Sequence, residues 1–350
     1  MAAAAPLESH GAVIRYLAPG AVNRPQWDAL IAAAPNGLIY GLSWYLDIVS
    51  PGWAALVREE QGRYVAGLPL PLQTRFGFRY LRQPLFAQQL GWFSLAAPTA
   101  ADWPEIGRQL RRRFRFIGRY SFNAANTAPL ADGGAALGLT GAAFTTYYLS
   151  LRPPYAQLRA GYRPVRRWRL NQARRQGLRV EASTDVGLLL RLFDENTAPK
   201  IFGVVGEAYE YRLLRELYEA ASRAGMADMW QARSAGGEVV AMILLFRFKD
   251  QLTYIFNSSS AAGKQLGAIT LLLDEVFQTY AGQPLTFDFE APEVAGVAGF
   301  YRSFGSVATP FLTVSHDGLP WPLRQLRAAR AALYRRLRPR LPVEGPGQAG

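Results

Sequence analysis

The sequence predicts a mixed α/β protein made of two tandem domains, each a mostly antiparallel mixed sheet flanked by helices. Three observations carry this. At 350 residues, half of them apolar, the chain is long enough for two ordinary cores and too apolar for a disordered chain. Its hydrophobic spacing switches repeatedly between a period of about 3.6 and a period of about 2, the signatures of helix and strand. A short pattern also recurs: Gly62 with Val65-Ala66-Gly67-Leu68-Pro69-Leu70 matches Gly237 with Val240-Ala241-Met242-Ile243-Leu244-Leu245 at a constant offset of 175 residues, half the chain.

In order, residues 12–17 read as a strand and 23–33 as a helix, with Pro25 in its first turn and Trp27, Leu30 and Ile31 on one face. A short helix at 43–49 closes at the Pro51-Gly52 turn. Alternation at 54–58, 63–73 and 79–81, punctuated by Gly62 and Gly77, gives an antiparallel meander. Helical spacing returns at 105–117, with Ile106, Leu110, Phe114 and Ile117 opposite Arg108, Arg111, Arg112 and Arg115, and a strand follows near 120–123. The Ala/Gly-rich stretch 124–141 is the clearest boundary.

Beyond it the plan recurs: a strand at 144–151, a very basic helix at 164–176, a strand at 178–181, and helices at 186–195 and 207–223. A second meander spans 226–233, 238–248 and 252–257, then a helix at 267–280, a strand at 285–290, a helix at 294–303 and a strand at 307–315. The expected organisation is a first domain at 12–123, a linker at 124–141, a second domain at 142–317 carrying the donor site, and a basic amphipathic helix and tail at 318–350.

Composition excludes whole classes of chemistry. There is no cysteine, hence no disulfide framework, Cys nucleophile or Cys-ligated metal. The two histidines, His10 and His316, do not suffice for a His-based triad or metal site, so no metal is expected. Catalysis must run on carboxylates, tyrosine, backbone dipoles or a borrowed cofactor. The longest apolar run, 239–246, is less than half a membrane span, and the Ala-rich start lacks a cationic leader, which predicts a cytoplasmic protein. The net charge of +13 predicts anionic partners, although only Lys200, Lys249 and Lys264 among the 39 basic residues are lysines.

Two signals in the second half fit each other. Ser258-Ser259-Ser260-Ala261-Ala262-Gly263-Lys264-Gln265-Leu266-Gly267-Ala268 is a small-residue stretch feeding a helix. Unpaired N–H groups and the positive end of the helix dipole there suit phosphate, and the alternative is a plain helix start. Farther on, Leu285-Thr286-Phe287-Asp288-Phe289-Glu290 is followed by Ala298-Gly299-Phe300-Tyr301-Arg302-Ser303-Phe304-Gly305. Asp288 and Glu290 share one face by strand alternation, which makes them a candidate base pair, each raising the other's pKa. The competing role is capping of the helix after Pro292, which Glu293 also offers. Tyr301 is a candidate proton donor or a core aromatic beside Phe300 and Phe304.

These motifs resemble the GNAT acyltransferase superfamily, and their tandem arrangement resembles the FemAB-like and CelD-like acetyltransferases. The resemblance runs from about residue 39 to 315. It implies an acyl-CoA donor such as acetyl-CoA held by Asn257, Gly263, Lys264, Gln265, Gly267 and Ala268, with Ile269 at a further loop position, and Tyr301 as the acid that protonates the departing thiolate. Glu290 and Asp288 would then serve as the base, and the acceptor amine would attack directly. The Fem-type peptidyltransferases, which use aminoacyl-tRNA to build a peptidoglycan precursor, carry a Lys directly after the first Phe of the Phe300 motif, where this chain has Tyr301. A third reading is a non-catalytic duplicate binding an anionic surface; in the first half Arg82-Gln83-Pro84 replaces the phosphate-loop approach.

Two arginine clusters point to anions. Arg163, Arg166, Arg167, Arg169, Arg174, Arg175 and Arg179 surround one helix with Trp168 and no acid, predicting contact with a tRNA or other polyanionic acceptor, or else pairing with Glu207, Glu210, Glu216 and Glu219. Leu319, Leu323, Leu326, Leu333 and Leu337 form a stripe of a C-terminal helix bearing seven arginines from Arg324 to Arg340, which suits an anionic membrane surface at the inner face or packing on its own domain.

Overall fold

The computed structural model describes residues 13–75, 77–196, 208–290 and 295–337. The first half runs β1 (Ile14–Leu17), α1 (Arg24–Ala33), α2 (Ser43–Val49), β2 (Ala54–Glu60), β3 (Arg63–Leu70), β4 (Leu72–Arg75), β5 (Phe78–Arg82), β6 (Phe93–Ser94), α3 (Asp102–Arg113), β7 (Phe116–Ser121) and β8 (Thr140–Ser150). The chain continues through α4 (Tyr155–Ala160), α5 (Pro164–Arg175), β9 (Arg179–Ala182), α6 (Val186–Asn196), α7 (Ala208–Arg223), β10 (Ala227–Arg233), β11 (Val239–Phe248) and β12 (Gln251–Ser259). The last elements are α8 (Ala261–Leu266), α9 (Ala268–Tyr280), β13 (Thr286–Asp288), α10 (Ala295–Arg302), β14 (Val307–Asp317) and α11 (Trp321–Leu337).

The repeat is visible in the order of elements: β1, two helices and the β2–β3 hairpin correspond to β9, two helices and the β10–β11 hairpin. Gly62 and Gly237 both take left-handed backbone, at φ 75° and 87°, which the tight turns require and a side chain resists. One sheet has the order β1-β2-β3-β6, and the other runs β4-β5-β7-β14-β8-β13-β12-β11-β10-β9. At the centre of the large sheet β14 pairs with β8 from Val307↔Tyr148 to Ser315↔Thr140, while β8 also pairs with β13 and β14 with β7. The closing strand of each half thus lies beside the other half's strands, and backbone hydrogen bonds tie the two together.

The apolar run 239–246 is a strand buried on both faces. Met242, Leu244 and Phe246 join the core built around Trp27, Tyr45 and Phe93, whereas Ala241, Ile243 and Leu245 join the core around Phe277, Phe287 and Phe304. The hairpin β11–β12 also reaches the first half through the Lys249 ammonium, which donates to the Ala34 carbonyl.

Several elements differ from their sequence reading. The stretch 63–73 is two strands in two sheets, because Pro71 has no N–H for a continuous ladder and the chain changes sheet there. The helix expected at 105–117 ends at Arg113; Phe114 is already extended at φ −124°, and Ile117 is buried in β7. Alternation over 113–117 satisfied both periods. The stretch 124–141 packs closely: Leu130 and Leu137 are buried, Asn126 accepts the Trp92 N–H at 2.9 Å, and β8 begins at Thr140. Among the described residues no helix is long and apolar enough to cross a membrane.

Candidate active site

Strand β13 is short. It runs parallel to β12 only at Gln251↔Thr286, Leu252↔Phe287 and Thr253↔Asp288, after which β12 continues to Ser259 with no parallel neighbour. The register of β11 and β12 slips where Leu245 faces Tyr254 and Leu244 faces Phe256, so Ile255 is the extra residue of a bulge that bends β12 away. The strands therefore open into a wedge, and the carboxylates sit at its mouth.

Asp288 is fully buried, accepting from Thr146 Oγ1 at 2.7 Å, Gln251 Nε2 at 2.9 Å and the Glu290 N–H at 2.9 Å. Burial pushes its carboxyl up to about 6 against these three donors. Glu290 adopts left-handed backbone at φ 46°, unusual for a residue with a side chain, and this turns its N–H back to Asp288. Its Oε1 accepts the Tyr40 hydroxyl at 2.8 Å, and the Gln88 backbone N–H also stabilises the charge. Burial and then the Asp288 charge outweigh both donors and push Glu290 up to about 8. Among the described residues the two carboxylates accept from Tyr40, Gln88, Thr146, Gln251 and the Glu290 backbone; residues 291–294, and with them Glu293 and the cap of the helix after Pro292, lie outside the described residues.

Tyrosines surround this pair. Tyr301, on α10, lies over Phe289 at 4.5 Å and edge-on to Tyr254 at 6.3 Å between ring centroids. Burial, then the charges of Glu290 and Asp288, raise its pKa, so it holds its proton at neutral pH. No side-chain partner engages its hydroxyl among the described residues. Tyr148 is raised by burial and by Asp288, and Gln89 reaches it at 3.5 Å. From the first half Tyr45 is raised by burial and then by Glu290.

The second part of the site is a cavity of about 370 Å³ at the start of α9, lined in part by Arg166, Trp168, Arg169, Lys264, Gly267 and Phe300. Gly267 precedes α9 at φ 72° without a side-chain cap, leaving the first-turn N–H groups of Ala268, Ile269 and Thr270 without intrahelical partners. The basic helix α5 supplies the facing wall. Arg166 donates to Thr270 Oγ1 at 2.7 Å and Ser303 Oγ at 2.8 Å and lies 4.1 Å over the Phe300 ring. Burial, then Arg169, lower it to about 10, so it remains charged at neutral pH. Phe300 thus touches the cavity, while its neighbour Tyr301 faces the carboxylates.

Of the residues expected to hold a donor, Gly263, Lys264, Gly267 and Ala268 line this cavity, with Ile269. Asn257 and Gln265 are exposed and are not among its walls. The stretch is not an open loop: Ser260 accepts the Gly263 N–H at 3.1 Å and starts α8, which Gly267 ends. Of the four basic positions, Arg166 and Arg169 reach the cavity; Arg167 turns to the carbonyls of Ala160 and Tyr162, and Arg163 is exposed with its backbone N–H on Ser303. Among the described residues no ion pair joins these arginines to Glu210, Glu216 or Glu219. Arg174 meets Asp274 of α9 at 2.8 Å, while Glu216 pairs with Arg212 on its own helix, and Glu207 lies outside the described residues. Sequence reasoning missed Tyr40, Tyr45, Tyr148, Gln88 and Thr146, and also Asp274, which is fully buried and accepts from Tyr155 and Tyr162 at 3.0 Å. No group of three His, Asp or Glu side chains suited to a metal occurs among the described residues.

Residues 159–298 match the family model described as an acetyltransferase (GNAT) domain. No curated protein matches the chain in sequence. The fold is similar over nearly its whole length to FemX, with a TM-score of 0.61 at 14% identity, covering 87% of this chain and 98% of that one. A conserved protein of unknown function from Bacteroides thetaiotaomicron VPI-5482 gives 0.56 at 11% identity over 83% and 96%. A tandem GNAT protein from the clavulanic acid biosynthesis pathway gives 0.53 at 14% identity over 88% and 99%. At these identities the likeness is one of fold.

Proposed function

The chain is a tandem GNAT-like protein, and from that premise we propose that it is an N-acyltransferase moving an acyl group from acyl-CoA to an amine. The observation that carries the reading is the pairing of Glu290, raised to about 8, with a proton-holding Tyr301 at the mouth of the β12–β13 wedge. Such a base and acid suit chemistry that must remove a proton from one atom and give one to another near neutral pH.

The acyl thioester supplies an electrophilic carbonyl and a sulfur leaving group. Glu290, directly or through water, takes a proton from the acceptor's ammonium, and the free amine attacks the carbonyl carbon. A C–N bond forms and the C–S bond breaks. Tyr301 gives its phenolic proton to the departing thiolate and is reprotonated by the second proton of the attacking nitrogen, which leaves a neutral amide, while Glu290 passes the first proton to solvent, so both groups are restored. Tyr40 holds Glu290 in place, and Asp288 keeps its basicity high. The α9 N-terminus with Arg166, Arg169 and Lys264 fits the phosphates of the donor, the charge type that free N–H groups and guanidinium hold.

The test is thiol release from acetyl-CoA across a panel of primary amines, with Glu290→Gln as control: amine-dependent release that the substitution abolishes supports the reading, and release independent of amine and of Glu290 contradicts it. A second reading, aminoacyl-tRNA as donor, is favoured by Trp168, 57% exposed beside Arg169 and the same cavity, a surface on which a nucleobase can stack. Melting-temperature shifts with aminoacyl-tRNA but not with acyl-CoA would select it. Binding of neither, with retained affinity for anionic surfaces, would select a non-catalytic duplicate.

A further inference from the structure

At the end of the large sheet, away from the carboxylates, lies a groove of about 670 Å³ between β5 and β7 on one side and the start of α11 on the other. Its apolar lining is Phe78, Tyr80 and Phe116 from the strands and Leu319, Leu323 and Leu326 from the helix and its approach. Three of these are far from covered. Phe78 is 56% exposed, Leu323 40% and Leu326 73%. The rim is cationic, formed by Arg79, Arg82, Arg115, Arg119 and Arg327. Asp317 is the carboxylate that meets this rim among the described residues, and it is already paired with Arg327. The sequence 318–340 carries seven arginines, Arg327 among them, and no acid.

We propose that this face docks the chain on an anionic phospholipid bilayer, with the leucines of α11 and Phe78 entering the acyl boundary and the arginine rim meeting lipid phosphates. Neither half of the arrangement is explained by folding alone. Large apolar side chains left exposed on a helix and on an adjoining strand forfeit burial unless something covers them. A ring of like charges repels itself unless anions intervene. A bilayer with anionic headgroups satisfies both, since it offers phosphate at the rim and hydrocarbon below it. A nucleic acid offers only the first, because aliphatic leucines gain little against a phosphate backbone. The inference is independent of the acyl-transfer reading and needs none of its residues.

Full-length protein is sedimented with phosphatidylcholine vesicles and with mixed phosphatidylcholine–phosphatidylglycerol vesicles, at low and high salt. The expected result is partition onto the anionic vesicles at low salt, weakened by salt, and reduced about tenfold or more both by Leu323→Ser with Leu326→Ser and by Arg82→Glu with Arg119→Glu. Leu326→Ser alone, at the most exposed of these positions, serves if the double variant lowers the melting temperature. Equal binding to neutral and anionic vesicles, binding to neither, or loss in the arginine variant with none in either leucine variant overturns the proposal. So does equally tight binding to duplex DNA that the leucine changes leave untouched.

Discussion

The Tyr40 hydroxyl of the first half donates to Glu290 Oε1 of the second at 2.8 Å, across 250 residues of chain. The hydrogen bond favours the ionised carboxylate and so works against burial and the Asp288 charge, which favour the protonated acid. The basicity of Glu290 is a balance between the halves.

Tyr40→Phe therefore moves the ascending limb of the kcat/KM profile to higher pH. The base acts as carboxylate, so rate climbs through its pKa near 8; loss of a charge-assisted donor raises that pKa by about one unit. Rate at pH 7 falls about tenfold and recovers in alkali. Asp288→Asn removes the charge that raises Glu290 and shifts the limb the other way. A profile whose limb stays in place in both variants contradicts this balance.

Glu290→Gln trades activity for stability. The folded pKa of about 8 lies above the ordinary glutamate value of 4.5, so folding takes up a proton and stability declines as pH rises through that interval. Above pH 8 the buried charge costs a few kcal/mol, on the order of 1.4 kcal/mol per unit of pKa. The variant should melt several degrees higher than the wild type at pH 9 and about equally at pH 4, in paired thermal scans.

Tyr301→Phe keeps the ring against Phe289 and removes only the hydroxyl. Turnover should drop about 100-fold while acyl-CoA affinity, read by calorimetry, stays within a factor of two or so. An affinity loss equal to the rate loss would assign the hydroxyl to binding.

Asp274 anchors α9 beneath the cavity through Tyr155, Tyr162 and Arg174. Asp274→Ala strands the buried phenol of Tyr162, the half-buried one of Tyr155 and a half-exposed guanidinium, and should cost about 3 kcal/mol or more in urea unfolding. A loss below about 1 kcal/mol would mean that water replaces the carboxylate.

The fold class and the repeat were legible because periodicity, turn glycines and the 175-residue offset are local signals. The second-half cluster was legible for the same reason, since Asp288, Glu290 and Tyr301 lie within 14 residues of one another. What completes it was not. Tyr40 and Tyr45 sit in apolar segments where a tyrosine looks like any core aromatic, and only packing against the second half gives the Tyr40 hydroxyl a carboxylate and brings Tyr45, whose hydroxyl donates to the Phe86 carbonyl, under the Glu290 charge. Helix α8 left a readable sign in Ser260 as an N-cap and Gly267 as a left-handed stop, but six residues without an apolar stripe carry no helical period. Strand pairing explains the exchange of β8 and β14 between halves, which no local pattern encodes.

Donor binding at the α9 cavity is tested by the melting temperature of the purified protein against increasing acetyl-CoA, in wild type and in Arg169→Glu, a residue that lines this cavity. Donor binding at this cavity requires a saturable rise of several degrees, with the apparent affinity weakened about tenfold by the charge reversal. No rise at millimolar acetyl-CoA, or a rise indifferent to Arg169, would contradict it.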